Sequence, residues 1–284
     1  MIRIFGIDFT SAPSSRKPIT VARAELDGNH LLIERVERLE NWEEFEAFLN
    51  EPGPWRAGFD FPFSQPLQLF DDYGISGSWE HLVCQLTSAG RAAFESRLRN
   101  YKLNQPAGKK HHFRATDRAA RACSPMTLDF TPVGKMFFEG APRLIKANLS
   151  ILPGRPTGDL RVAVEAYPKL VAIKCVGNAS YKADSKPKQA EQQRTTRCEI
   201  LRSIEEVASQ QYGISIHLSQ ELTQAAVSDP TGDTLDSILC ALQAAWSQNC
   251  SNPPHGIPAN ADPREGWIVD PALLDLHKPT KQRA

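Results

Sequence analysis

Long apolar runs are missing from this chain of 284 residues, and none approaches the ~18 residues that a membrane-spanning helix needs. That excludes a helical membrane protein. There is no excess of either charge: 33 Lys and Arg face 33 Asp and Glu. A dedicated nucleic-acid binder usually carries a basic surplus, so any such binding here must come from a local basic stripe. The six cysteines (Cys84, Cys123, Cys175, Cys198, Cys240 and Cys250) contain no CxxC pair, and none sits beside a matching His pair, which argues against the common zinc and redox motifs. The first residues have no signal-peptide layout, because Met1 leads straight into Ile2-Arg3-Ile4-Phe5-Gly6-Ile7-Asp8, which reads as a strand. Reduced thiols and a cytoplasmic location are therefore expected. No internal repeat is visible.

What is present is a globular pattern. Residues 2–9 read as a buried strand, and residues 18–25 and 31–39 as two more, joined by the hairpin signal Asp27-Gly28-Asn29. Asn41 can cap a helix carrying Trp42, Phe45, Phe48 and Leu49 at helical spacing, which Pro52-Gly53-Pro54 ends. Residues 55–61 read as a fourth strand. The helix before it makes a parallel pairing with an early strand the natural outcome. Residues 63 to about 159 read as helices and loops, including helices at 88–101 and 130–149, the latter interrupted by prolines. Residues 161–166 form a fifth strand, and helices follow at 169–176, 189–212 and 230–247. The expected architecture is a single α/β domain over residues 1–284. Its central mixed five-stranded sheet has three antiparallel and two parallel strands, with helices on both faces. A mainly helical insertion separates strands four and five, and a polar tail from about residue 278 frays.

Acidic residues sit at informative places. Asp8 lies at the end of the first strand, Asp60 at the end of the fourth and Glu165 near the end of the fifth. If those strands are parallel neighbours, three carboxylates meet at one sheet edge, where ligands of open α/β sheets bind. Acids in apolar strands are costly unless paired or bound to a cation, and three together repel. Oxygen ligands of this kind suit Mg²⁺ or Mn²⁺. A salt bridge or a helix cap is the structural alternative for each acid alone. In the last helix, Asp236 borders the apolar stripe of Leu235, Ile238, Leu239, Leu242, Ala245 and Trp246 and is placed to look toward the sheet. Asp233 lies farther round, where a first-turn acid also suits the helix dipole.

Taken together, Gly6-Ile7-Asp8, Gly58-Phe59-Asp60-Phe61-Pro62, Glu165-Ala166-Tyr167-Pro168, Asp233-Thr234-Leu235-Asp236 and Gly266-Trp267-Ile268 resemble one family, in their order and spacing, across residues 2 to about 271. It is the domain of unknown function 429 family of predicted nucleases with an RNase H-like fold. The resemblance implies a fold related to RuvC-type resolvases and RNase H. In those enzymes a first-strand Asp, an acid on a later strand and one or two acids on the final helix hold two metals. Carried onto this chain, the metal ligands are Asp8, Asp60 and Asp236, with Asp233 close by, and Glu165 matches the family's Glu-x-x-Pro motif and joins the catalytic set. The implied chemistry is metal-dependent hydrolysis of a nucleic-acid phosphodiester, with two Mg²⁺ or Mn²⁺ ions about 4 Å apart. RuvC-type enzymes often pair to cut two strands, so a homodimer is open, as is DNA against RNA.

Phosphate contacts are sought in basic runs. Lys109, Lys110, Arg114, Arg118 and Arg121 form one, with His111 and His112 inside it. If residues 116–123 are helical, the three arginines fall near one face. His112 could act as a general base, although a lone His is more often structural. A second run holds Lys182, Lys186, Lys188, Arg194 and Arg197. Solvated surface is the alternative for both runs. The small polar turn Thr10-Ser11 after the first strand resembles phosphate-holding turns of actin-like ATPases, without their glycine pair. A nucleotide-binding phosphotransferase or ATPase is thus a second expectation. A non-enzymatic interaction protein on the same fold is a third, suited by the neutral charge and the long insertion.

Overall fold

The computed structural model describes residues 1–183 and 189–274, so the tail expected to fray lies outside the described residues. Seven strands form one mixed sheet: β1 Ile2–Asp8, β2 Ile19–Asp27, β3 His30–Leu39, β4 Trp55–Phe59, β5 Ser150–Ile151, β6 Arg161–Glu165 and β7 Ser215–Leu218, in the order β5-β6-β4-β1-β2-β3-β7. β2 runs antiparallel to both β1 and β3, and the remaining pairings are parallel. The helices are α1 Trp42–Leu49, α2 Leu67–Asp72, α3 Trp79–Thr87, α4 Arg91–Leu103, α5 Ala115–Ala120, α6 Val133–Lys146, α7 Pro168–Val176, α8 Glu191–Val207, α9 Gln220–Ser228 and α10 Asp233–Asn249.

The count of five strands is corrected to seven. The two additional strands lie at the sheet edges. β5 has only two residues and β7 only four, too short for alternation to declare itself, and each exists because it docks parallel to a longer strand. The stretch between β4 and β6 carries α2 to α6 along with β5, so it is mainly helical. The helix expected over residues 130–149 is observed as α6, which runs through Pro142. Burial of Phe137, Ala141 and Leu144 on its inner face compensates for the missing donor. The helical condition set for residues 116–123 holds only as far as Ala120, since Arg121 turns left-handed at φ 52°.

The sheet separates two cores. One face packs α1 to α4 and α6 around Phe5, Ile7, Phe45, Trp55, Phe59 and Phe61, while Ala120 of α5 packs with Trp267, Ile268 and Leu273. The other packs α7 to α10 around Ile4, Ala24, Val164, Leu235, Ile238 and Leu242. α10 is the central helix of that second face and is buried along nearly its whole length. Two glycines set its depth. Gly6 of β1 and Gly58 of β4 are direct partners in the parallel ladder. A Cβ on Gly6 would overlap the Ser237 carbonyl oxygen and the Ala241 nitrogen, and one on Gly58 would come within 2.7 Å of the Cys240 carbonyl oxygen. Backbone therefore lies on backbone, with Ser237, Cys240, Ala241 and Ala244 forming the helix surface at the crossing. Among the described residues no helix is long and apolar enough to cross a membrane.

Candidate metal centre

The same two glycines position the acids. Side chains alternate along a strand, so the residue two places after a glycine faces as the glycine does. Asp8 follows Gly6 by two and Asp60 follows Gly58 by two, which turns both carboxylates to the α10 side. The Asp60 amide donates to the Ile7 carbonyl at 2.9 Å, prolonging the β1–β4 ladder and holding Asp60 beside Asp8. Asp236 enters from the first turn of α10 and is fully buried. One carboxylate oxygen from each of Asp8, Asp60 and Asp236 lies within 4.8 Å of the others, a separation that a single cation can span.

Electrostatics mark this cluster as short of positive charge. Burial pushes the Asp8 carboxyl well up, and Asp233, Asp236 and Asp60 add to the rise against Lys182. Burial likewise pushes Asp60 up to about 7, with Asp236 and Glu165 adding to it against Lys182. Asp233 is raised by burial and by Asp229. Asp236 is held differently, accepting hydrogen bonds from the Tyr181 hydroxyl at 2.6 Å and from the Lys182 ammonium. Burial opposes the Lys182 charge, but Asp236, Tyr181, Asp8 and Asp60 outweigh it and raise its pKa. Lys182 is the charge that opposes the rise at both Asp8 and Asp60, so three converging carboxylates share one ammonium, and this hard, anionic donor set fits a divalent cation.

The acids open into a cavity of about 540 Å³. Asp8, Asp60 and Asp233 line it together with Thr10, Ser11, Tyr167, Phe130 and the lysines Lys17, Lys169 and Lys182. Thr10 and Ser11 are nearly buried beside Asp8.

Glu165 lines the same cavity as Asp8 and Asp60 but is not one of the three converging carboxylates. It is the ladder partner of Phe59, so its side chain shares the Phe59 face and not the Asp60 face. There it meets Arg114, whose guanidinium donates to both Glu165 oxygens at 2.5 and 2.8 Å and to both Asp117 oxygens at 2.7 and 3.0 Å. The Phe63 amide donates to Glu165 as well, at 3.0 Å. This buried triad ties β6 to α5, and the adjacent Glu265 side chain accepts from the Leu67 and Ala115 amides.

The basic runs are redistributed. Arg114 is only 1% exposed and saturated by Glu165 and Asp117, which corrects its expected place as a surface phosphate contact. A strand-end glutamate without a partner would be costly, and Arg114 is the partner. Lys109, Lys110, Arg118 and Arg121 are exposed but do not line the cavity. His112 bonds the Tyr101 hydroxyl at 2.6 Å and does not line it either. In the second run Lys182 lies on Asp236, Arg197 is buried against the carbonyls of Tyr181 and Val227, and Arg194 pairs with Glu191. Lys186 and Lys188 lie outside the described residues. Tyr181, Lys17, Lys169 and Phe130 escaped sequence reasoning because each sits in a loop or on a helix rim with no motif around it.

The family model described as "Protein of unknown function (DUF429)" matches residues 6–257. The chain belongs to the DUF429 family. No curated protein and no solved structure matches it. The DUF429 match starts at Gly6 and extends beyond α10, so it takes in Asp8, Asp60 and Asp236, the whole candidate centre.

Proposed function

We propose that this DUF429 protein is a Mg²⁺- or Mn²⁺-dependent nuclease on an RNase H-like core, with Asp8, Asp60 and Asp236 as the metal ligands. The observation that carries the reading is the convergence of those three carboxylates at the C-terminal edge of parallel strands, at the buried end of a cavity with lysines in its walls. A divalent cation bound there supplies a nucleophilic water near neutral pH and positive charge at a phosphoryl oxygen. The chain's own residues do the rest. Asp8 and Asp60 present carboxylate oxygens from the ends of two adjacent strands. Tyr181 orients Asp236 through its 2.6 Å hydrogen bond. Asp233 lines the same cavity and would serve a second cation. Lys182 neutralises the cluster and is placed to move onto an incoming phosphate once a cation takes over that task. Lys17 and Lys169 supply further phosphate contacts. The Arg114–Glu165–Asp117 triad forms part of the cavity wall and braces it.

Calorimetric titration of Mn²⁺ into the wild type and Asp8→Asn tests the centre. Saturable binding in the first and its loss in the second, followed by Mn²⁺-dependent cleavage of oligonucleotides by the wild type alone, is the expected result. Retained cleavage in Asp8→Asn overturns it. A phosphotransferase or ATPase is the second reading, favoured by Thr10 and Ser11 beside Asp8 in the cavity. It predicts a thermal shift with ATP and Mg²⁺, which the nuclease reading does not require.

A further inference from the structure

Phe130 is the most exposed large apolar side chain among the described residues, at 107% of its reference surface, ahead of Met1 and Leu103. Its backbone is left-handed at φ 63°, a conformation that disfavours a bulky side chain. The loop is nonetheless pinned on both sides. Asp129 accepts two hydrogen bonds from the Arg99 guanidinium at 2.9 and 3.1 Å. The Thr131 amide bonds the Asp129 carbonyl, the Val133 amide bonds the Thr131 carbonyl, both at 2.8 Å, and α6 begins at Val133. The fold thus holds an aromatic ring out in solvent, and it does so at the wall of the carboxylate cavity, beside Pro132, Val133 and Met136. Backbone strain that presents a ring at the mouth of a charged cavity calls for a ligand that uses the ring.

The depth of the centre says which ligand. Asp236 is fully buried and Asp8 is 9% exposed, so a phosphodiester must enter the cavity to reach them. A cavity of about 540 Å³ has the size of a small-molecule site and takes one nucleotide unit, whereas a stacked duplex keeps its bases paired inside and is far too broad. A strand that enters must therefore be unpaired or flipped out, and its bases then need faces to stack on. An aromatic ring combined with a lysine-lined groove is the arrangement that single-stranded nucleic acids use. We infer that the substrate is an unpaired strand and that Phe130 stacks on a base next to the phosphodiester held at Asp8, Asp60 and Asp236, an inference that rests on the nuclease reading.

The experiment measures fluorescence anisotropy of a labelled, phosphorothioate-linked single strand of about a dozen thymidines, and of the same strand paired with its complement. Titrations use wild type, Phe130→Ala and Phe130→Trp with Mn²⁺ present, and Mn²⁺ binding is measured by calorimetry on each protein. Wild type is expected to prefer the single strand. Phe130→Ala is expected to weaken that binding by about tenfold, the loss of one stacked base, and Phe130→Trp to keep it, with Mn²⁺ affinity the same in all three. Unchanged single-strand binding in Phe130→Ala, or tighter binding of the duplex by the wild type, overturns this inference and leaves the nuclease reading intact. Absence of Mn²⁺ binding in the wild type, or of nucleic-acid binding with Mn²⁺ bound, overturns both.

Discussion

Gly6 and Gly58 are neighbours across the β1–β4 ladder, and together they let the backbone of α10 rest on the backbone of the sheet. Depth and chemistry are linked through this contact, because Asp8, Asp60 and Asp236 meet only if the helix is that close. Gly6→Ala forces α10 outward by more than side-chain adjustment can absorb, since the colliding atoms are backbone. It is expected to cost at least the ~1–3 kcal/mol of an overpacked core and to weaken Mn²⁺ binding at the same time. Denaturant unfolding and calorimetry on the purified variant test both. A variant of normal stability and normal Mn²⁺ affinity contradicts the coupling.

Asp8→Asn is expected to stabilise the metal-free protein while abolishing Mn²⁺ binding. Burial and three acidic neighbours make the Asp8 anion unfavourable, and an amide of the same shape removes that cost. The thermal midpoint without metal should rise by a few degrees, and its increment on adding Mn²⁺ should vanish. A lower midpoint in the absence of metal would show Asp8 to be a structural partner.

The raised pKa of Asp60 gives a signed pH dependence. Its folded pKa of about 7 lies above its unfolded value, so the folded metal-free protein holds the proton more tightly than the unfolded chain. That stabilisation is complete below the unfolded pKa and is lost as pH rises through about 7. Paired acids such as Asp159 and Asp262 are lowered by Arg161 and Arg264 and pull the other way, so the comparison must be with Asp60→Asn. Between about pH 4 and 7, wild type should lose stability relative to this variant, while Mn²⁺ affinity of the wild type climbs over the same range. Parallel pH–stability curves for the two proteins would refute the shift.

Lys182→Met removes the ammonium from Asp236, and with it the charge that opposes the rise at both Asp8 and Asp60. Metal-free protein should be less stable, and Mn²⁺ should bind more tightly, since it no longer competes with the lysine. Weaker Mn²⁺ binding in this variant would mean that Lys182 orders the site instead of occupying it.

Glu165→Gln separates a bracing role from a ligand role. Breaking a buried ion pair costs about 3–5 kcal/mol, and Arg114 would keep only Asp117 as a charged partner. The thermal midpoint should fall sharply with Mn²⁺ affinity nearly unchanged. Loss of Mn²⁺ binding in a folded Glu165→Gln protein would add Glu165 to the metal ligands.

The strands that lead to the acids, β1, β4 and β6, are legible because each is a short, largely apolar segment bounded by polar or turn residues. Asp8, Asp60 and Asp236 stood out for the same reason, as charges inside apolar patterns. The partnership of Arg114 with Glu165 was not legible, since it joins residues on different elements, 51 positions apart. Within the run from Lys109 to Arg121 every cation looked alike, and only packing could bury one of them. Asp270 shows the same limit. It is fully buried and accepts from Lys174, Tyr212 and Gln243, three side chains from separate segments, yet in the sequence it merely follows an apolar stretch.

By itself, then, the sequence determined the α/β class, the strands of the inner sheet and the acids at their ends, because alternation and burial act over a few neighbouring residues. Tertiary structure alone decided the two edge strands, the burial of Arg114, the grip of Tyr181 and Lys182 on Asp236 and the display of Phe130 at the cavity wall. Those depend on which distant surfaces come into contact, and charge, depth and exposure are properties of the contact, not of the residue.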